Sequence, residues 1–474
     1  MLSLLLACGH APAATEAERL SDLAAKGDAA ALDSLIDLAR RKKDADAQYA
    51  LGLMAYEARG LERNAAQAFQ LVGRAAAQGH AEACNTLGFF YQRGVGTPVD
   101  LAQALGWFRR GAEAGNARAQ TNLGWFYEQG IAIDKDPAAA AQWYARAVEQ
   151  GLPAAHANLA NLYESGLGVA TNPAAAIRLY EIAFAGGVTS AALRLGRLQE
   201  ARGNIAAAAD HYVAAARSGI AEAQFPAGRL LAASGNPRRN IEQGLHWLGA
   251  AATRESLEPL LVLANLYDQG TGVAADPVVA DPARAAGYFR RAALLGDAES
   301  AFRYAQFVAS AAKAAPADGP ADDPAPWYRR AAEKNHAQAQ FQLGRLLQSR
   351  GGDAGKEGRS EAVGWYRKAA GQGHLPAALQ LAIALEGGLG VAASPTEAIT
   401  WYAKAAAADD PEALYRLGNL YDRGMGTAAD FGRARDYYTR SATLGHAGAT
   451  AVLKRMIGAP SIDPVLGDPF KGLR

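Results

Sequence analysis

The chain has 474 residues, half of them hydrophobic, with 48 basic and 47 acidic side chains and a formal net charge of +1. Such a balance supplies no global field for nucleic acid or an anionic membrane, so nucleic acid is not an expected partner and any charge-reading ligand must find a local patch. Two cysteines, Cys8 and Cys84, exclude a disulfide framework, and beyond the N-terminus no apolar run reaches the roughly 18 residues of a membrane span.

Residues 1–14 read first as an export segment. Leu5-Leu6-Ala7-Cys8 has the form of a bacterial lipobox, in which Cys8 becomes the acylated first residue of the mature protein, and Gly9 leaves such a lipoprotein free to reach the outer membrane. Ala11-Pro12-Ala13-Ala14 offers an ordinary signal-peptidase site instead. Both readings imply export, to the periplasm with a lipid anchor in the first case. A third, a chance apolar start on a cytoplasmic protein, stands beside them, because no Lys or Arg precedes the apolar run.

Residues 15–43 predict a pair of capping helices, Thr15–Lys26 and Asp28–Lys43, the second begun by Asp28 and ended by the basic run Arg40 to Lys43. Residues 44–456 then repeat. Leu51, Leu87, Leu123, Leu159 and Leu195 fall 36 residues apart, and the same position recurs at 227, 263, 304, 343, 381 and 417, giving eleven copies. Most copies have Leu followed by Gly or Ala, as in Leu87-Gly88 and Leu123-Gly124, and an aromatic pair about 20 residues later. Six of the seven tryptophans, Trp107, Trp143, Trp247, Trp327, Trp365 and Trp401, open that pair. The small residue is expected to let two helices cross closely, so that the Trp or Tyr of the second helix packs over it.

A Gly-x-Gly turn separates the helices, as in Gly94-Val95-Gly96, Gly166-Leu167-Gly168 and Gly424-Met425-Gly426. It recurs with the repeat and follows no strand, which makes it a helix stop rather than a phosphate cradle. Segments 311–326, 350–358 and 276–282 interrupt the period and are expected as loops, and residues 457–474 form a tail with three prolines and no period.

The consensus of Ala-rich first helix, Leu-Gly, Tyr, Gly-x-Gly-Val, then Trp-Tyr and a closing Gly resembles the Sel1-like repeat, a relative of the tetratricopeptide repeat; the best copies are 81–116, 117–152, 153–188 and 411–446. The resemblance implies an all-α fold, a right-handed α/α superhelical solenoid of about eleven helix pairs whose first helices line the concave face. For function it implies a class, adaptors that assemble complexes by binding other proteins. Some secreted relatives carry a cysteine pair in every repeat; this chain does not, so their ligands are not carried over. Related lipoproteins also take part in exopolysaccharide secretion complexes.

On such a face the residues flanking Leu-Gly should point at a ligand: Phe89, Trp125, Asn161, Arg197, Arg229, Asn265 and Arg345 after it, with Arg194 and Arg303 before it. In that order the face is aromatic early and basic in the middle. Its five arginines suit the carboxylates of an acidic polypeptide or polysaccharide, or else pair with neighbouring acids of the chain itself. Trp125, the one Trp outside the repeated position, is either buried against Phe89 and Phe126 or an exposed anchor. Chemistry finds no foothold. His80, His336, His374 and His446 recur at repeat junctions instead of converging on a metal, Cys84 reads as a small buried thiol, and no nucleophile with an arranged base occurs. The expectation is a binding protein without metal, cofactor or catalysis, in the envelope or, alternatively, a cytoplasmic signalling adaptor.

Overall fold

The computed structural model describes residues 15–270, 280–314, 323–350 and 355–458; the Cys8 motif and the tail beyond 458 lie outside these. Among the described residues there are twenty-five α-helices and no strand. They are α1 (Glu16–Ala25), α2 (Ala29–Arg40), α3 (Ala45–Glu57), α4 (Ala65–Ala77), α5 (Ala81–Arg93), α6 (Leu101–Glu113), α7 (Ala117–Gln129), α8 (Pro137–Glu149), α9 (Pro153–Ser165), α10 (Pro173–Ala185), α11 (Ser190–Ala201), α12 (Ile205–Arg217), α13 (Gln224–Ala232) and α14 (Ile241–Ala252). There follow α15 (Leu257–Gln269), α16 (Pro282–Leu294), α17 (Ala298–Ala314), α18 (Ala325–Glu333), α19 (Ala337–Ser349), α20 (Gly355–Gly371), α21 (Leu375–Gly387), α22 (Pro395–Ala406), α23 (Pro411–Arg423), α24 (Phe431–Thr443) and α25 (Ala447–Gly458). The chain divides into two compact units, Met1–Trp247 and Leu248–Arg474, with the boundary inside α14.

From α3 to α24 the helices form eleven pairs, an odd-numbered first helix and an even-numbered second one, preceded by the α1/α2 cap. Thr15 caps α1 in a reciprocal capping box with Glu18, and Asp28 caps α2. Two interruptions are shorter than the sequence suggests. Ala311–Ala314 continue α17, and Gly355–Gly358 open α20; positions 271–279, 315–322 and 351–354 lie outside the described residues. Pro226 shortens α13, because a residue without an N–H is tolerated only in a first turn; a 3-10 turn over Ala221–Ala223 precedes the helix.

The structure decides which aromatic makes the helix crossing. The residue seated over the small position is the second member of the aromatic pair, not the Trp. A Cβ added to Gly88 or Gly124 would lie 2.7 Å from Phe108 or Tyr144, and one on Gly196, Gly344 or Gly418 would lie 2.6 Å from Tyr212, Tyr366 or Tyr438. These rings are almost wholly buried, Tyr144 at 0% exposure. Each contributes about 2 kcal/mol of burial. The Trp, one residue earlier and so turned about 100° around the helix, faces the preceding repeat. Trp107 packs against the core cluster that includes Ala55, Val72 and Phe90, and Trp143 against the one that includes Phe108 and Phe126. A basic residue one turn on covers several of them: Lys368 lies 4.1 Å from the Trp365 ring and Lys404 3.9 Å from that of Trp401.

Two further devices join repeats. The second Gly of each turn sits on the start of the preceding second helix; Gly96 has φ 68°, and a Cβ there would meet the Ala65 carbonyl oxygen at 2.2 Å. Three residues before the repeat Leu, a buried polar group satisfies a carbonyl near the end of the preceding second helix. Gln48, Gln120 and Gln340 donate to Ala39, Ala112 and Ala332 at 3.0, 3.2 and 3.0 Å, and Cys84 Sγ reaches Ala76 O at 3.5 Å. On α25 the repeat position reads Leu453-Lys454, so an exposed lysine stands where the crossing residue would be.

Replacing Gly124 with Val is therefore expected to destabilise the first unit by about 1–3 kcal/mol, through collision with Tyr144. Ala160→Gly, at the same position of the next repeat, should cost less, about 1 kcal/mol, since it only loosens a helix. Urea unfolding followed by circular dichroism separates the two; equal losses would mean that the crossing is not close-packed.

Candidate binding surface

The first helices carry a patterned polar face built from residues at fixed places around the repeat Leu. Histidine illustrates the construction. His80, His336, His374 and His446 are the N-caps of α5, α19, α21 and α25, where Nδ1 accepts the N–H of Ala83, Ala339, Ala377 and Ala449 at 3.1 to 3.2 Å. Each ring lies against an aromatic of the preceding first helix: Tyr49, Phe302, Phe341 and Tyr415 at 4.7, 4.6, 4.8 and 4.5 Å. With Nδ1 committed as an acceptor, Nε2 carries the proton and points back to Asp46, Glu299, Gln338 and Glu412. The sequence shows these histidines as dispersed; paired with an acid or amide and an aromatic one repeat earlier, they form four copies of one junction.

Arginine extends the junction into a relay. In the second unit Arg303 lies 3.7 Å from Asp268 and 3.2 Å from Glu299, which accepts a hydrogen bond from His336 Nε2 at 2.9 Å. Arg416 repeats this with Glu386 at 3.1 Å, Glu412 at 2.5 Å and His446 at 2.9 Å from Glu412. Burial raises the Glu412 pKa, yet the His446 and Arg416 bonds outweigh it and hold this carboxyl below the usual range. The carboxylate five residues after the repeat Leu also accepts from the crossing tyrosine hydroxyl: Glu128 from Tyr144 at 2.7 Å, Glu164 from Tyr180 at 2.6 Å and Glu386 from Tyr402 at 2.6 Å. Burial first, then the carboxylate, pushes these phenols far above their ordinary range, so they remain donors. Each ion pair, partly exposed, contributes at most about 1 kcal/mol. Their recurrence fixes register more than it adds stability.

The anticipated basic stripe is thus largely neutralised. In the first unit Arg194 lies 3.7 Å from Glu164 and Arg229 is bonded to Glu200. In the second, Arg303 belongs to the relay described above. Arg197 and Arg345 are exposed and in no ion pair among the described residues; Arg345 lies 5.8 Å over the Phe341 ring. These two belong to different units. Phe89 is half-buried between two core clusters, and Asn265 is exposed. Asn161 Oδ1 lies 2.5 Å from the Tyr180 hydroxyl, whose proton goes to Glu164. Trp125 is 37% exposed, set edge-on to Phe126 with ring centroids 5.6 Å apart, and is the one exposed tryptophan of the seven. Among the described residues no group of three or more His, Cys, Asp or Glu is placed to hold a metal ion, and no helix is long and apolar enough to cross a membrane.

Comparison with known proteins agrees with this architecture. The Sel1 repeat family model matches residues 45–80, 81–116, 117–152, 153–188, 221–256, 261–297, 327–336, 337–374, 375–410 and 411–446. The α11/α12 pair lies outside these ranges and still seats Tyr212 over Gly196. Among solved structures, the chain is similar to a protective antigen present in uropathogenic Escherichia coli strains and displaying an SLR fold: 27% identity, 90% of this chain and 91% of that one, TM-score 0.61. It is also similar to a Sel1 repeat protein from Oxalobacter formigenes, at 27% identity over 52% of this chain and 96% of that one, TM-score 0.41. No curated protein sequence matches the chain.

The junction at His374, which faces Gln338 instead of an acid, gives a pH prediction. Burial holds this imidazole below its ordinary value of 6.5. The unfolded chain therefore takes up the proton first, so the contribution of His374 is complete above about pH 6.5 and declines as the pH falls below it. His374→Asn keeps a capping acceptor, as Asn116 supplies for α7, and removes this titration. Urea midpoints of the second unit should fall less between about pH 7 and about pH 5 in the variant; parallel profiles would exclude His374 as a source of acid sensitivity.

Proposed function

The chain belongs to the Sel1 repeat family, and on that premise we propose that it is a non-catalytic scaffold of the bacterial cell envelope whose first-helix face organises other proteins. Repeats of this family mediate protein–protein interaction. The observation that carries the reading is the state of the titratable groups on that face. Its cap histidines, the crossing tyrosines beneath it and most of its flanking arginines are bonded between or within repeats, which makes the face a preset recognition surface and leaves few of these groups poised for chemistry. Preset surfaces bind with little loss of side-chain entropy.

The envelope location rests on Leu5-Leu6-Ala7-Cys8, with Cys8 as the acylated residue and the periplasm, lipid-anchored to the outer membrane, as the destination. A protective antigen with a similar array is consistent with export of this type of protein. In its narrower form the proposal places the scaffold in an envelope complex such as one for exopolysaccharide secretion, with an acidic polypeptide or polysaccharide as the ligand of exposed arginines such as Arg197 and Arg345.

Expression from the native locus beside a Cys8→Ser variant tests the location. Mass spectrometry should find an acylated Cys8 at the N-terminus of the mature protein, and membrane recovery should fall by about tenfold in the variant, since a single acyl-modified residue is the whole anchor. A soluble protein retaining Met1 would instead favour a cytoplasmic adaptor. Chemical cross-linking of the wild-type protein in cells should trap at least one partner protein; none would remove the scaffold reading.

A further inference from the structure

The first unit carries four neighbouring first helices, α5, α7, α9 and α11, whose outward stripes change character in order. Residues three or four apart share a helix face. On that basis α5 presents Asn85 with Phe89, α7 Asn122 with Trp125, α9 Asn158 with Asn161, and α11 Arg194 with Arg197. Neighbouring stripes touch: Asn122 Nδ2, one residue before its repeat Leu, donates to Asn85 Oδ1, two residues before the preceding one, at 2.8 Å.

Three features give this surface a chemistry. Trp125 is exposed and braced edge-on by Phe126, so its plane is fixed before anything binds. The Asn85–Asn122 bond occupies one donor and one acceptor, leaving the Asn85 amide N–H groups and the Asn122 carbonyl without another side-chain partner among the described residues; Asn158 has none at all. An amide that offers both a donor and an acceptor matches a peptide main chain, which alternates N–H and C=O. Finally, Arg194 is compensated by Glu164 and Arg229 by Glu200, while Arg197 stands exposed without a carboxylate among the described residues. A guanidinium in that state attracts one.

We propose that the stripe from Trp125 through the Asn122 and Asn158 amides to Arg197 binds an extended polypeptide segment carrying a large apolar side chain and, further along, a carboxylate. This rests on the scaffold reading and names the kind of partner. First helices stand about 10 Å apart at each repeat step, so Trp125 and Arg197 are about 20 Å apart, which an extended chain spans in about six residues. An acidic sugar chain is the less favoured ligand. Sugar hydroxyls are held by carboxylates as well as by aromatic planes, and Glu128, Glu164 and Glu200 of these helices are already occupied by Tyr144, Tyr180 and Tyr212.

The test is selection of a phage-displayed library of random 12-residue peptides on the intact protein, followed by affinity measurements on synthetic copies of the selected peptides. Selected peptides should share an apolar residue followed at about six positions by Asp or Glu. Trp125→Ala and Arg197→Ala should each weaken them about tenfold, with a flatter salt dependence for Arg197→Ala. Arg435→Ala, on an exposed second-helix position of the other unit, should leave affinity unchanged, and thermal melts should show all three variants folded. Selection without a shared pattern, or affinity indifferent to both first-unit variants, overturns the proposal. So does binding of an alginate oligomer that the same two variants abolish while no peptide is selected. Cross-linking in cells keeps the two readings apart. Partners retained by the Trp125→Ala, Arg197→Ala double variant would dismiss this stripe and leave the scaffold standing, whereas wild-type protein without partners would dismiss the scaffold.

Discussion

Most pairs in the array depend on a ring crossing a residue with little or no side chain. Tyr144 over Gly124 and Tyr438 over Gly418 bring two backbones together at one point, and that point sets where all other side chains of the pair fall. The ring has a second anchor at its hydroxyl, which the carboxylate five residues after the repeat Leu receives in several repeats. An apolar contact thereby fixes the position of an acid, and the acid in turn meets an arginine of the next repeat, as Glu386 meets Arg416. Packing and surface electrostatics are two ends of one side chain.

Between repeats the tryptophan serves as a wedge, and the histidine as a cap that reaches backwards. The same imidazole closes the N-terminus of one helix, lies on an aromatic of the preceding helix and bonds to an acid or amide there. Individually such bonds are weak. Arranged in order along the array they require each repeat to meet the next at a particular register, a demand that uniform alanine packing would not make.

The all-helical architecture and its eleven pairs were legible because the pattern of Leu, small residue and aromatic pair recurs on a period close to 36, which averages out local ambiguity. Caps such as Thr15 and Asp28 were equally plain. The division of labour between Trp and Tyr was not, since both are large and adjacent, and only the angle between consecutive helical residues decides which one faces the partner helix. Nor could sequence decide the arginines: Arg194 and Arg197 differ by three positions, and one meets Glu164 while the other stays exposed. The histidine junctions were visible in principle. Their acids and aromatics lie one repeat upstream, and a search for local clusters passes over contacts that span 34 to 37 residues.

Lys454 gives the array a direction of growth. Because a charged chain occupies the crossing position of α25, a hairpin partner cannot seat there as Tyr438 seats on Gly418. Interior pairs present the same joints on both sides, so a duplicated or deleted pair leaves compatible neighbours behind. Length can therefore change by unequal exchange within the gene, and copy number becomes a variable that selection can adjust without redesigning any single joint.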